Sequence, residues 1–310
     1  MNIEKIEGLV AAPFTPMNQD GSLNLKIINQ YSEKLKTDKL KGVFVCGTTG
    51  EGMLMTNRER RAVAEEWIQH QTKDFKVIVH VGTTSLKQSK KLAIHAQKDE
   101  AYAIGCMGPS FLRPEKVEEL VDFCTEVAAG APDLPFYYYH IPSVSGITLS
   151  MKEFIQQASL RIPNFVGLKF THNDFVELQQ CYELDNGKWD ILHGFDELLL
   201  AGLAFGSKGA VGSTYNFWAP LYYSIIESFE KGDIEEARKK QLLSVRLINI
   251  FNKYGGPTVA GKALMKLFDL DCGPCRLPLK NMDESKYKSF TKEVLDLFSQ
   301  LSDFNIVLVN

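Results

Sequence analysis

A lysine lies inside an apolar run, residues 166–171, that reads as a short buried strand. The side chain of this residue, Lys169, is of a type that is almost never fully buried unless it is paired. An ammonium in such a strand must be paired with a carboxylate, reach solvent at the strand end, or be neutral. A neutral lysine is a nucleophile that forms a Schiff base with a carbonyl compound. The run alone leaves these three interpretations open.

A glycine-flanked turn with two hydroxyl groups, Gly47-Thr-Thr-Gly50, is a candidate anion site. Successive backbone N–H groups in such a turn can form an anion-binding nest, to which the hydroxyls of Thr48 and Thr49 add donors. The turn lacks the Gly-x-x-x-x-Gly-Lys-[Ser/Thr] spacing of a phosphate-binding loop, so a carboxylate fits better than a nucleotide phosphate. The same residues also fit an ordinary strand-to-helix turn.

Three consecutive tyrosines offer a proton-transfer group. Side chains alternate along a strand, so Tyr137 and Tyr139 face one way and Tyr138 faces the other. A phenol one strand away from the lysine could carry protons in a Schiff-base reaction. Alternation does not choose between Tyr137 and Tyr139, and at least one of the three is expected to be a buried packing residue.

Two carboxylates and two hydroxyls follow later apolar runs. Asp196 and Glu197 precede an apolar helical segment, where they either complement the helix dipole or accept hydrogen bonds from substrate hydroxyls. Ser213 and Thr214 follow the next apolar run and could donate to the same ligand.

All these residues end or follow short apolar runs, which we interpret as strands. The eight runs are 8–13, 42–46, 76–81, 102–107, 135–140, 166–171, 189–193 and 209–213. Continuous apolar runs of this kind are typical of parallel strands covered by helices. Amphipathic helical segments occupy the gaps: 25–37, 57–72, 86–98, 115–129, 151–160, 174–183, 196–205 and 217–231. Thr56 and Glu59 have capping-box spacing at the start of one of them.

This alternation predicts a (β/α)8 TIM barrel, and an open doubly wound α/β sheet is the runner-up. Three additional C-terminal helices are predicted at 233–254, 258–269 and 284–300. They are too few for a convincing separate domain. We therefore expect a single domain, with a barrel over 1–232 and a C-terminal helical extension over 233–310 that packs on the barrel or forms a subunit contact.

In such a barrel the chemistry gathers at the C-terminal ends of the strands. Along the sixth strand, one face consists of Val166, Leu168 and Phe170, and the other of Gly167, Lys169 and Thr171. The apolar face suits packing under helices. The second face is then expected to point into the barrel mouth, together with the lysine.

The composition of the chain limits which classes of binding partner we expect. The chain has 310 residues, 45% hydrophobic and 24% charged, with a net charge of −3, which is ordinary for a globular protein. Its charge attracts neither nucleic acid nor an anionic membrane. No apolar run approaches the roughly 18 to 20 residues that a membrane helix needs. Its six cysteines are scattered, which together with the absence of a signal-peptide pattern predicts a reduced, cytoplasmic protein.

Two patterns suggest other chemistry but lack its context. Cys272-Gly-Pro-Cys275 has the spacing of a thioredoxin-type motif, which should open a helix after a strand, whereas here it follows the eighth strand and precedes Arg-Leu-Pro. As zinc ligands, the two cysteines would need two further partners at suitable spacing, and none is evident. The six histidines are isolated, so we predict no metal site.

In combination these motifs resemble the N-acetylneuraminate lyase and dihydrodipicolinate synthase superfamily of Schiff-base pyruvate aldolases. The resemblance extends from residues 8–16 to residues 273–279 and includes Gly-Thr-Thr-Gly-Glu, Tyr-His-Ile-Pro and Gly-Leu-Lys-Phe-Thr in that order. The lyase branch is the more similar one. Where the synthase branch usually has an arginine for a dicarboxylate, this chain has Val144, and Ser110-Phe111 stand in place of its tyrosine pair.

The resemblance implies a role for each matching residue. Lys169 would form the Schiff base with pyruvate, and Tyr139 would be the proton shuttle. Thr48 and Thr49 would hold the pyruvate carboxylate. The polyhydroxy chain of a sugar would contact Thr171, Gly194, Asp196, Glu197 and Ser213.

The implied reaction is reversible aldol cleavage of N-acetylneuraminate, a sialic acid, to N-acetylmannosamine and pyruvate. It needs no metal or organic cofactor, and relatives are commonly homotetramers. Other aldolases of the superfamily, acting on 2-keto-3-deoxy sugar acids or 4-hydroxy-2-oxoglutarate, are the closest alternative, and dihydrodipicolinate synthase is less favoured. A non-catalytic sugar-acid binder on the same barrel is the alternative from a different class.

Overall fold

The computed structural model describes residues 3–299 and contains a closed barrel of parallel strands. The strands follow one another around the barrel in chain order: β1 (Gly8–Ala11), β2 (Gly42–Val45), β3 (Lys76–His80), β4 (Ala103–Cys106), β5 (Phe136–His140), β6 (Phe165–Phe170), β7 (Asp190–His193) and β8 (Gly209–Gly212). Parallel pairing of β1 with β8 closes the ring. The predicted TIM barrel is therefore confirmed, and the open sheet is wrong.

Helices cover the barrel and extend beyond it. Over the described residues they are α1 (Ile27–Thr37), α2 (Asn57–Ile68), α3 (Leu86–Lys98), α4 (Val117–Ala128), α5 (Pro142–Ser145), α6 (Met151–Arg161), α7 (Phe175–Glu183), α8 (Leu199–Ala204), α9 (Tyr215–Glu230), α10 (Ile234–Lys253), α11 (Gly256–Leu264) and α12 (Glu284–Ser299). The capping box of Thr56 and Glu59 is present at the start of α2. The short helix α5 was not predicted; its four residues are too few to show helical periodicity.

The barrel has two separate apolar cores. The inner one fills the barrel with side chains that include Val10, Phe44, Ile78, Tyr137, Tyr139 and Leu192. The outer one lies between the strands and the helix layer and includes Leu168 and Phe170. The two cores reflect the alternation of side chains along each strand.

Val166 departs from the predicted alternation. It was expected on the outer face with Leu168 and Phe170, but it lies in the inner core. The reason is an irregularity in the pairing of β5 with β6, where Phe136 pairs with Phe165 but Tyr137 pairs with Gly167. Val166 is skipped, and its side chain turns inward, as a bulge allows.

The C-terminal helices pack beside the last barrel helix. The rings of Phe217 in α9 and Phe251 in α10 lie 5.8 Å apart, and those of Trp218 in α9 and Phe298 in α12 lie 5.0 Å apart. These aromatic contacts join the extension to the helix layer. In the described part of the chain, no helix has the length and apolar character needed to cross a membrane.

Candidate active site

Lys169 points into the barrel near the C-terminal end of β6, with 4% of the residue exposed. Its Nζ lies 4.2 Å from the ring centroid of Tyr139 and 4.3 Å from that of Phe44. Over residues 3–299, no carboxylate oxygen lies within the 4.0 Å of an ion pair with this Nζ. The lysine is therefore neither an exposed strand-end residue nor a member of an ion pair with a described carboxylate.

Tyr139 is the direct neighbour of the lysine on the adjacent strand. The two residues are register partners in the pairing of β5 with β6. The hydroxyl of Tyr139 lies 3.4 Å from Oγ1 of Thr48, at the end of β2. The structure thus brings the predicted nucleophile, the predicted phenol and one hydroxyl of the predicted anion turn together at one point.

The other two tyrosines are packing residues. Tyr138 faces the outer core, as the alternation predicts. Tyr137 faces inward like Tyr139, but its hydroxyl donates a hydrogen bond of 2.7 Å to Asp190. Burial raises the pKa of Asp190 to about 6, against the lowering effect of that hydrogen bond.

The turn after β2 is closed by hydrogen bonds of its own backbone. The N–H of Glu51 donates to the carbonyl of Thr48, and the N–H of Gly52 donates to that of Gly47, both at 3.0 Å. A Cβ on Gly52 would lie 1.8 Å from the carbonyl oxygen of Cys46, so only glycine fits there. Thr48 is exposed at the mouth and Thr49 is half-buried.

The sequence motifs did not indicate two inward-facing residues that lie beside Lys169 and Tyr139. One is Phe44, whose ring contacts Lys169. The other is His80 at the end of β3, whose ring stands edge-on to Tyr139 at 5.8 Å. The rule that selects residues at strand ends would have found His80, whereas Phe44 lies inside a strand and carries no such signal.

His80 is held as a neutral ring. Its Nδ1 lies 3.1 Å from the carbonyl oxygen of Cys46, and its Nε2 accepts from the N–H of Met107 at 3.3 Å. Burial and the nearby guanidinium of Arg60 keep the pKa of His80 well below its ordinary value. The ring links the ends of β2, β3 and β4 beneath the phenol.

Asp196 joins the loops after β7 and β8 through hydrogen bonds. Its Oδ2 accepts from the N–H and the hydroxyl of Thr214, both at 2.6 Å, and from Ser213 at 3.4 Å. Burial raises the pKa of Asp196. Burial and the neighbouring Asp196 raise the pKa of Glu197 to about 7. The two carboxylates lie in a short 3-10 helix, Asp196–Leu198, that precedes α8, rather than in the first turn of an α-helix.

Thr171 and Gly194 lie side by side at the ends of β6 and β7. A Cβ on Gly194 would be 2.0 Å from Oγ1 of Thr171, so the close approach requires glycine. The hydroxyl of Thr171 is buried and has no hydrogen-bond partner among the described residues. A buried hydroxyl without a partner is costly and is a natural contact for a ligand.

A cavity of about 200 Å³ opens beside the phenol. Its lining includes Thr48, His80, Met107, Tyr139, Val144, Pro278 and Leu279. Pro278 and Leu279 come from the C-terminal extension, and nothing in the pattern of the sequence placed them there. The barrel mouth is therefore completed by chain that follows the eighth unit.

Cys272 and Cys275 are free, buried thiols. Burial raises the pKa of each to about 12, which is opposite to the low pKa of a redox thiol. The pair therefore lacks the exposed, low-pKa thiol of a redox motif, in agreement with its position outside a strand-to-helix junction.

Comparison with known proteins gives a consistent result. The dihydrodipicolinate synthetase family matches residues 5–296. The chain is 40% identical to the N-acetylneuraminate lyase of Sus scrofa over 98% of both chains, and 40% identical to that of Homo sapiens over 98% of this chain and 97% of the other. The native structure of N-acetylneuraminate lyase (sialic acid aldolase) from Aliivibrio salmonicida superposes with a TM-score of 0.93 at 39% identity, covering 98% of this chain and 99% of that one.

Proposed function

Because the chain belongs to the dihydrodipicolinate synthetase family, we propose that it is a carbon–carbon lyase that reversibly cleaves N-acetylneuraminate to N-acetylmannosamine and pyruvate. The observation that carries this proposal is Lys169, buried in the barrel opposite Tyr139 without a carboxylate partner among the described residues. The choice of N-acetylneuraminate as substrate is supported by the relatives named N-acetylneuraminate lyase, which are 40% identical to this chain over nearly its full length.

The reaction begins with the attack of the Lys169 amine on the C2 ketone of the open-chain sugar acid. Loss of water gives an iminium, which acts as an electron sink. The C4 hydroxyl then loses its proton, the C3–C4 bond breaks, and its electron pair enters the iminium to form an enamine. N-acetylmannosamine leaves as the aldehyde. Protonation of the enamine at C3 and hydrolysis release pyruvate and the free lysine.

Tyr139 relays the proton of the C4 hydroxyl. Its position supports this role, because it is the register partner of Lys169 and its hydroxyl lies beside Thr48. A positioned phenol is a competent general acid and base. The iminium formed on Lys169 is the electrophile of the reaction, so no step of this scheme calls for a metal or an organic cofactor.

The two ends of the substrate contact different loops. Thr48 and Thr49 bind the carboxylate, supported by the closed backbone turn that carries them. The polyhydroxy chain binds Thr171, Gly194, Asp196, Glu197 and Ser213. The hydroxyl of Thr171, buried and without a hydrogen-bond partner within residues 3–299, and the carboxylate of Asp196 support that assignment.

Borohydride reduction in the presence of pyruvate tests the mechanism. We expect a stable adduct on Lys169 that is located by peptide mass spectrometry, and pyruvate release from N-acetylneuraminate. An adduct without release from this sugar would direct the search to a panel of 2-keto-3-deoxy sugar acids and 4-hydroxy-2-oxoglutarate. Sugar binding with neither adduct nor turnover would identify a non-catalytic binder instead.

We also propose a cytoplasmic homotetramer in which each chain is a single domain, a barrel up to residue 232 followed from residue 233 by an extension packed on it. The free state of all six cysteines supports the reducing compartment. Phe111 and Leu112, both 83% exposed after β4, support a subunit contact, since large apolar side chains side by side are uncommon on a free surface. A monomer in light scattering would contradict the assembly.

A further inference from the structure

A second buried lysine joins the C-terminal extension to the barrel mouth. Nζ of Lys262, in α11, lies 2.7 Å from Oε1 of Glu51, in the turn after β2. The two side chains are 1% and 0% exposed. Buried charges of this kind are retained only where each has a close partner, and here the partners are 211 positions apart in the chain.

Glu51 occupies a backbone conformation that disfavours its residue type. Its φ of 55° and ψ of 30° are left-handed, a region in which glycine or asparagine is usual. The contacts of its buried carboxylate stabilise this disfavoured conformation. The same residue donates its backbone N–H to the carbonyl of Thr48. Contacts of the Glu51 carboxylate therefore act directly on the backbone of the anion turn, to which Glu51 itself belongs.

Both oxygens of the Glu51 carboxylate accept hydrogen bonds from residues of the C-terminal extension. Oε2 accepts the backbone N–H of Arg276 at 2.7 Å, and Lys262 also donates to the carbonyl of Pro274 at 2.8 Å. The guanidinium of Arg276 donates to the carbonyl of Leu54 at 3.1 Å and forms an ion pair with Glu59. The segment from the anion turn to the start of α2 is therefore fixed at two points by chain outside the eight βα units.

We propose that Lys262 and Glu51 are positioning residues that set the Gly47–Gly52 turn for the carboxylate of the substrate. The inference rests on the proposed function, since it assigns that turn to pyruvate. Neither residue touches the reacting atoms. The ion pair instead fixes the backbone of Glu51, and with it the carbonyl and hydroxyl of Thr48 next to Tyr139. A preorganised turn binds the carboxylate without an ordering cost.

The test is the pyruvate concentration that half-saturates borohydride trapping on Lys169. Lys262→Met removes the charge and keeps an unbranched side chain. Because this leaves Glu51 buried and unpaired, the double variant Glu51→Gln/Lys262→Met provides a neutral pair of similar volume if the single variant does not fold. Lys266→Met, one turn further along and 41% exposed at its side chain, is the matched control.

We expect the half-saturating concentration to rise about tenfold in the Lys262 variants, the loss that follows from misaligned hydrogen bonds to a charged group. The adduct yield at saturating pyruvate stays at the wild-type level, because Lys169 is untouched. The control variant keeps the wild-type value of both.

A purely structural ion pair would lower the melting temperature and leave the half-saturating concentration unchanged, and that result overturns the positioning role alone. A wild-type protein that gives no adduct with pyruvate overturns the proposed function, and the positioning role with it. The two failures are separated by the wild-type trapping experiment.

Discussion

Two lysines are buried among residues 3–299, and their surroundings are opposite. Lys169 is 4% exposed among aromatic rings and, within residues 3–299, has no carboxylate at ion-pair distance. Lys262 is 1% exposed and donates to both a carboxylate and a carbonyl. Burial alone therefore does not identify a reactive amine. What distinguishes the two is whether a carboxylate lies at ion-pair distance from the amine, as at Lys262, or aromatic rings surround it, as at Lys169.

Replacing the unpaired lysine gives the largest expected effect, on activity. Lys169→Met should lower turnover of N-acetylneuraminate by at least about a thousandfold, as loss of a covalent nucleophile does. The free energy of unfolding should change by less than about 1.5 kcal/mol, because an unbranched apolar side chain fits among the same rings. A pyruvate-release assay and urea unfolding measure the two quantities. Substantial residual turnover in this variant would contradict Schiff-base chemistry at this residue.

Replacing the paired lysine has its main effect on stability. Lys262→Met should lower the free energy of unfolding by about 3–5 kcal/mol, since it leaves the carboxylate of Glu51 buried without its charge partner. The double variant Glu51→Gln/Lys262→Met should recover part of this loss, because no buried charge remains. Urea unfolding of the three proteins measures it. Equal stability of the Lys169 and Lys262 variants would remove the distinction between the two lysines.

The two inward tyrosines of β5 provide the next comparison. Tyr139→Phe should lower turnover about a hundredfold by removing the proton relay, while trapping of pyruvate on Lys169 is retained. Tyr137→Phe is the matched control on the same strand. It should keep turnover and lose stability instead, because Asp190 loses the hydroxyl that donates to it. A full turnover rate in Tyr139→Phe, or a loss in Tyr137→Phe that matches it, would reverse the assignment.

The two lysines also differ in how far the sequence predicts them. Lys169 sits in an apolar strand whose alternation turns it inward, and the position at the strand end follows from the barrel rule. Lys262 lies in a short helical segment, and its partner is 211 positions away, so no local pattern marks the pair. Ion pairs of this kind depend on how the extension docks, which is a tertiary property.

Val166 and His80 mark two further limits of the pattern. Alternation assumes regular pairing, and the irregularity between β5 and β6 moved Val166 to the inner core. His80 was within reach of the strand-end rule, but a single histidine in an apolar run gives no hint of its backbone partners. Strand order and the site end of the barrel are thus predictable, whereas the shell behind the reactive residues depends on contacts between distant segments.

The smallest expected effect comes from the half-buried ion pair of Arg276 with Glu59, between the extension and the barrel. Arg276 holds the pKa of Glu59 at about 2, mainly through their hydrogen bonds. A carboxyl whose pKa is lower in the folded state adds stability above its unfolded pKa, and this contribution is lost as the pH falls towards 2. In Arg276→Gln, the loss of stability between pH 7 and pH 3 should shrink by up to about 1 kcal/mol, because solvent screens this partly exposed pair. Urea unfolding at the two pH values measures it, with Arg238→Gln, an exposed helix residue, as the control. A change as large as that of Lys262→Met would mean that the half-buried Arg276–Glu59 pair, rather than the buried Lys262–Glu51 pair, contributes most of the attachment of the extension to the barrel mouth.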